Sequence, residues 1–185
     1  TVGPDGNLWV ANAAANSVTR MTPEGVGTPF PLGGSGLSQQ ITAGPDGNLW
    51  FTNLGSDTIG QITTSGDVTI HTDPSIVDPY GITAGPDGAL WFTNAALQSG
   101  NGSIGRVTVG GSVSTFTDPA IVSPRQIALG PDGAMWFANR NGNSIGRIDT
   151  AGEVAAFTGG QTNSPVGIAL GPDGTLWFTN EEFAR

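Results

Sequence analysis

The chain has no cysteine and no lysine among its 185 residues, and only one histidine and one tyrosine. Without cysteine it holds neither a disulfide nor a thiolate metal site, which fits either redox compartment. Its six strong cations are all arginines and stand against fifteen acidic residues, for a net charge of −9. A nucleic-acid partner is disfavoured on that balance, because neutralising phosphates needs clustered cations. No apolar run approaches the roughly 18–20 residues that span a bilayer, and no signal-peptide pattern is visible, so no membrane partner is expected. Charge is sparse altogether, at 11% of residues. The acidic surface suits an exported, extracellular protein without fixing the compartment.

Glycine (30) and proline (13) are abundant. Both are poor in helix interiors and common in tight turns, so the composition points to many short strands. One stretch returns throughout the chain. Gly44-Pro45-Asp46-Gly47-Asn48-Leu49-Trp50-Phe51-Thr52-Asn53 recurs as Gly85–Asn94, Gly130–Asn139 and Gly171–Asn180, with a looser copy at Gly3–Asn12. Its first glycines lie at 3, 44, 85, 130 and 171, giving steps of 41, 41, 45 and 41 residues. The four extra residues of the third unit fall within Ala95–Gly102 and read as a loop insertion.

Each unit reads as a four-stranded meander. In the second, a strand at Gln40–Ala43 meets the turn Gly44–Gly47, where Pro sets φ, Asp bonds locally and Gly closes the turn. Leu49-Trp50-Phe51 then forms the core of a second strand, and strands at Thr58–Thr63 and Asp67–Thr72 follow. Four antiparallel strands repeated every 40–45 residues mark a β-propeller blade, so the expected class is all-β. About four to four and a half blades are expected, with repeats at 1–38, 39–79, 80–124, 125–165 and a partial 166–185. Trp9, Trp50, Trp91, Trp136 and Trp177 share one position and read as packing between blades. Gly60, Gly105 and Gly146 are expected to let the neighbouring sheet approach closely. Because the unit count is not whole, the chain is expected either to form a homo-oligomer or to be part of a longer propeller.

The runs Gly-Pro-Asp-Gly-x-Leu-Trp-Phe-Thr and Ser-Ile-Gly-Arg-Ile closely resemble blades of the virginiamycin B lyase (streptogramin lyase) family, over essentially the whole chain. That resemblance implies a propeller of seven such blades, and an activity that opens a cyclic depsipeptide antibiotic by Mg²⁺-dependent elimination. It also implies a second strand ending in Trp-Phe-Thr-Glu, with a catalytic histidine fourteen residues upstream. Here the glutamate positions hold Asn53, Asn94, Asn139 and Asn180, and counting back fourteen gives Gln39, Tyr80, Arg125 and Val166. A neutral amide cannot take the proton α to a carbonyl and is a poor Mg²⁺ ligand, so these blades are expected to be catalytically silent, with no catalytic or metal residue.

Few other residues carry chemistry. His71 lies in a fourth strand and reads as a surface residue. Asp46, Asp87, Asp132 and Asp173 sit in turns and read as local hydrogen-bond acceptors. Glu181 and Glu182 follow the last asparagine, where carboxylates could touch a metal, but they read first as a frayed end. Gly33-Gly34-Ser35-Gly36 is linker-like, and the triplet Asn101-Gly102-Ser103 is a chance glycosylation pattern. The candidate ligand face gathers Asn53, Asn94, Asn139 and Asn180, joined by Asn12, with Gln39, Tyr80 and Arg125 nearby. The asparagines read first as plain strand ends, because Asn tolerates the left-handed turn conformation. Three functions stay open. The favoured one is a non-enzymatic, self-associating scaffold without a cofactor. The others are part of an active lyase whose catalytic blades lie elsewhere, with Mg²⁺, and a glycan- or peptide-binding module.

Overall fold

A computed structural model describes residues 1–33, 36–97, 101–159 and 161–181. The described residues form five antiparallel sheets in chain order. The first has three strands, β1 (Leu8–Asn12), β2 (Ser17–Met21) and β3 (Gly27–Pro31). Three four-stranded sheets follow: β4 (Ser38–Ala43) to β7 (Val68–Thr72), β8 (Pro79–Ala84) to β11 (Val113–Phe116), and β12 (Pro124–Leu129) to β15 (Val154–Phe157). Their inner strands are β5 (Leu49–Asn53) and β6 (Thr58–Ile62), β9 (Ala89–Asn94) and β10 (Ser103–Thr108), and β13 (Met135–Asn139) and β14 (Ser144–Ile148). The last sheet pairs β16 (Pro165–Leu170) with β17 (Leu176–Asn180). The helix among the described residues is a single 3₁₀ turn at Leu54–Ser56, and none is long and apolar enough to cross a membrane.

The turn before each second strand forms as its residues dictate. Gly47 sits at φ +78°, a region closed to most side chains, and its amide closes the turn onto the Gly44 carbonyl. The Asp46 carboxylate accepts the Asn48 amide and, at 3.1 Å, the indole N–H of Trp50. The same indole bond joins Trp9 to Asp5, Trp91 to Asp87 and Trp136 to Asp132, at 2.9–3.1 Å. The third strand adds a donor beside the tryptophan it pairs with. Gln61 reaches Asp46 at 2.6 Å, Arg106 reaches Asp87 at 2.6 Å and Arg147 reaches Asp132 at 2.7 Å. One carboxylate thus ties turn, second strand and third strand together.

The Trp136 indole N–H, followed by Arg147, holds the Asp132 carboxyl down at about 2, against a smaller upward push from desolvation. A folded-state pKa below the unfolded 3.8 contributes stability that is present above about pH 4 and lost as pH falls through about 2. Asp132→Asn is therefore expected to show a smaller fall in thermal midpoint than the parent chain between pH 5 and pH 2. Parallel slopes would remove Asp132 from the acid response.

The core lies between sheets, where the tryptophan series was expected. Trp50 and Ile59 face forward onto Ile82, Leu90, Phe92 and Val107 of the next sheet. Trp91 and Ile104 meet Ile127, Met135, Phe137 and Ile148 in the same way, and Trp9 and Val18 meet Ile41, Leu49, Phe51 and Ile62. Trp9, Trp50, Trp91 and Trp136 also stack on the fourth-strand aromatic of their own unit, Phe30, His71, Phe116 and Phe157 in turn, at 5.0–5.6 Å. His71 is therefore half-buried against Trp50, in a place that phenylalanine fills elsewhere, and is not the free surface residue its strand suggested. Burial pushes its imidazole below the usual range, which favours the neutral form.

The third-strand glycines have a different role from the one expected. A Cβ on Gly60, Gly105 or Gly146 would run into the ring of Phe51, Phe92 or Phe137, its partner across the same sheet. The phenylalanine lies flat over the glycine, and the neighbouring sheet packs on the phenylalanine.

Both ends of the stack are open. Leu8 and Val10, which correspond to the buried Leu49 and Phe51, are 47% and 42% exposed. At the other end Trp177 is 65% exposed, although its counterparts in the first three sheets are fully buried. An apolar cleft of about 440 Å³ runs between the fourth sheet and the fifth, lined by Trp136, Ile145, Phe157, Ile168, Leu176 and Phe178. In the complete sheets a third-strand Ile62, Val107 or Ile148 fills the corresponding place.

Candidate functional site

The first strands line up beside one another, each interrupted by a bulge two residues after its start: between Ser38 and Ile41, Pro79 and Ile82, and Pro124 and Ile127. The bulges are fixed from outside. Thr52 accepts the Gln40 amide at 3.2 Å and donates to the Tyr80 carbonyl of the next sheet at 2.8 Å. Thr93 accepts the Gly81 amide at 2.9 Å and donates to the Arg125 carbonyl at 2.6 Å. Gly81 leaves no space here, since a Cβ would stand 2.7 Å from the Arg125 carbonyl oxygen. Gln40 and Gln126 then accept the amides of Ile82 and Ile168 in the sheet that follows. Tyr80 and Arg125 consequently project from backbone held on both sides.

The asparagines that end the second strands take up internal bonds. Asn139 is fully buried; it accepts the Val122 amide at 3.1 Å and donates to the Ala120 carbonyl at 2.6 Å and to the Ser144 hydroxyl at 3.1 Å. Asn94 is buried in the same way, bonded to the Val77 amide, the Ser75 carbonyl and the Ser103 hydroxyl. Asn180 is exposed, yet its amide binds the Asn163 amide and the Gln161 carbonyl. Asn12 donates to Ser17 and Thr19. Asn53 is buried, and its Oδ1 finds no partner among the described residues. At Asn94 and Asn139 the amides clamp the loops that lead into the first strands, so they offer a ligand no free atom. Sequence alone could not separate that use from an open amide ring.

A pocket of about 230 Å³ remains, lined by Tyr80, Arg125, Arg140, Val166 and Glu181. The Arg125 guanidinium carbon stands 4.9 Å from the centre of the Tyr80 ring. Burial lowers the arginine's pKa, partly opposed by Tyr80 and Glu181. Arg140 binds Glu181 at 2.7 Å. Glu181 also donates its amide to the Ser164 carbonyl, so it is tied down where a frayed end was expected, while Glu182 lies outside the described residues. Arg140 went unnamed in the sequence and Glu181 was not placed on the ligand face, although one signal could have found both. They occupy the column just after the asparagine, and that column adjoins the one holding Tyr80 and Arg125. Gln39, one repeat earlier, does not line the pocket.

The model of the Virginiamycin B lyase family matches residues 1–184. The chain belongs to the virginiamycin B lyase family. Virginiamycin B lyase from Staphylococcus aureus is similar over 97% of this chain, at 35% identity and a TM-score of 0.87. A catalytically inactive histidine-to-alanine variant of that enzyme, solved with quinupristin, gives 37% identity and a TM-score of 0.89 over the same share. A streptogramin B lyase structure is 31% identical over 95% of the chain, with a TM-score of 0.86. No curated protein sequence matches significantly. The chain spans 59–61% of the length of these lyases. At 16% identity, a propeller from a nidogen–laminin complex shares the fold alone.

Membership in the virginiamycin B lyase family implies Mg²⁺. The residues in hand do not suit it. No group of three His, Cys, Asp or Glu comes together among the described residues, and the amides of Asn94 and Asn139 at the expected positions are already bonded.

Proposed function

We propose that this chain is wall material for a streptogramin-opening lyase, with the proton-abstracting base contributed by blades that complete the ring. The observation that carries this reading is a match of extent. A ring of about seven four-stranded blades holds about twenty-eight strands. The seventeen described here are about 61% of that, the share of the Staphylococcus aureus enzyme that the chain covers. The two bare apolar faces at the ends of the stack support it, since each matches a face that is covered inside the stack. In such an elimination a base takes the proton α to a carbonyl. The Cα=Cβ double bond then forms as the Cβ–O ester bond breaks, and the electron pair leaves on a carboxylate. The blades described here have no group to act as that base at the family's positions.

A chimera tests the reading. The chain replaces its matching portion of the Staphylococcus aureus enzyme, whose remaining blades close the ring. The expected result is a monomer that linearises quinupristin in the presence of Mg²⁺, read as ring-opened product by mass spectrometry, while the 185-residue chain alone gives none. A folded, monomeric chimera without turnover would sink the proposal, as would turnover by the chain alone.

A second reading has its own observation. The Leu8–Val10 face and the Trp177 face are both bare and apolar and lie at opposite ends of the stack, so head-to-tail stacking of copies as a scaffold without chemistry would cover both. A discrete oligomer of the isolated chain in native mass spectrometry would favour it.

A further inference from the structure

We propose that Arg125, laid over Tyr80, is a binding site for a carboxylate carried by a peptide. The guanidinium makes no hydrogen bond or ion pair among the described residues, although it is half-buried and opens into a pocket. Its cation stands over the face of Tyr80 at 4.9 Å, and its N–H groups meet no acceptor among the described residues. A partly desolvated donor set of this kind favours a planar, two-oxygen acceptor, because paired N–H···O⁻ bonds are charge-assisted and matched in shape.

The surroundings narrow the ligand. The Arg125 carbonyl is held by the Thr93 hydroxyl, and Gly81 packs closely against it. Val166 and the Tyr80 ring give the pocket apolar sides, suited to a hydrocarbon group next to the carboxylate. Glu181 is the competing acceptor at the rim, but Arg140 holds it at 2.7 Å. Glu181 and Asp78 place negative charge near the same guanidinium, which opposes a multiply charged phosphate more than a single carboxylate. A single carboxylate on an aromatic or aliphatic residue is the ligand these walls describe. Elimination across a depsipeptide ester releases a group of that kind. That link rests on the lyase reading above; the binding itself does not.

The test uses the 185-residue chain and two probes, N-acetylphenylalanine as its carboxylate and the same compound as its N-methylamide. Binding is followed by the arginine Nε–H signals in ¹H–¹⁵N NMR. The carboxylate is expected to shift the Arg125 signal saturably, with a dissociation constant on the order of 1 mM. The amide is expected to bind at least tenfold more weakly. Arg125→Gln should abolish saturation, Arg125→Lys should weaken it several-fold by losing the planar fork, and Glu181→Gln should strengthen it. Equal binding of the two probes, no saturable shift, or unchanged affinity in both Arg125 variants overturns the proposal. No turnover enters the measurement, so failure of the lyase chimera leaves this result standing, and the converse also holds.

Discussion

Trp91→Ala is expected to lower the unfolding free energy by about 3–5 kcal/mol, while Trp177→Ala in the same chain changes it by less than about 1 kcal/mol. The two residues hold the same position in the same motif, so local propensity cannot separate them. Trp91 is fully buried against Ile127, Met135 and Phe137 of the next sheet and stacks on Phe116 at 5.3 Å, so truncation leaves a cavity that those groups cannot close. Trp177 has no following sheet and is 65% exposed, so most of its surface is already in water. Urea unfolding of the two variants gives the comparison directly. The ring-closing chimera extends it, because a following blade that covers Trp177 should raise the cost of Trp177→Ala toward that of Trp91→Ala. Equal losses in the isolated chain would mean that the last sheet is covered already, by a second copy or by other chain.

The fold was legible because the repeat states each blade five times. The period, the Gly-Pro-Asp-Gly turn and the tryptophan column all follow from local chemistry that each copy repeats. What each residue touches within a blade was less legible. Asp46, Asp87 and Asp132 were visible as turn residues, but their indole and third-strand partners depend on strand register, which Trp50↔Gln61 and Trp91↔Arg106 supply only in three dimensions. The asparagine column read as strand ends or as an open ring of amides. Its use as a set of loop clamps depends on Ser75, Ala120 and Gln161, residues of irregular connections with no periodic signature.

The pocket was half legible for a related reason. Tyr80 and Arg125 stood out because each departs from its column: one aromatic and one cation among Gln39 and Val166. Arg140 and Glu181 depart from theirs as well. Their meeting requires the angular step from one sheet to the next, which carries residue 140 of the fourth unit to residue 181 of the fifth. Sequence spacing holds no measure of that angle.

Gly105→Ala is the sharpest test of how a blade is built. The added methyl would collide with the Phe92 ring, and a destabilisation of about 1–3 kcal/mol or more is expected from overpacking. Backbone strain is not the cause, since Gly105, unlike Gly88 at φ +72°, does not adopt a left-handed conformation. A double-mutant cycle isolates the contact. Phe92→Ala alone is expected to lose about 3–5 kcal/mol by leaving a cavity between the second and third sheets, where the ring packs on Trp50 and Ile59. Combined with Gly105→Ala, it should lose less than the sum by about 1–3 kcal/mol, because the ring that collides with the new methyl has gone. If the glycine served instead to admit the neighbouring sheet, the two losses would add. Additivity within about 0.5 kcal/mol would therefore remove the phenylalanine-over-glycine contact as the reason the third strand carries glycine at 60, 105 and 146.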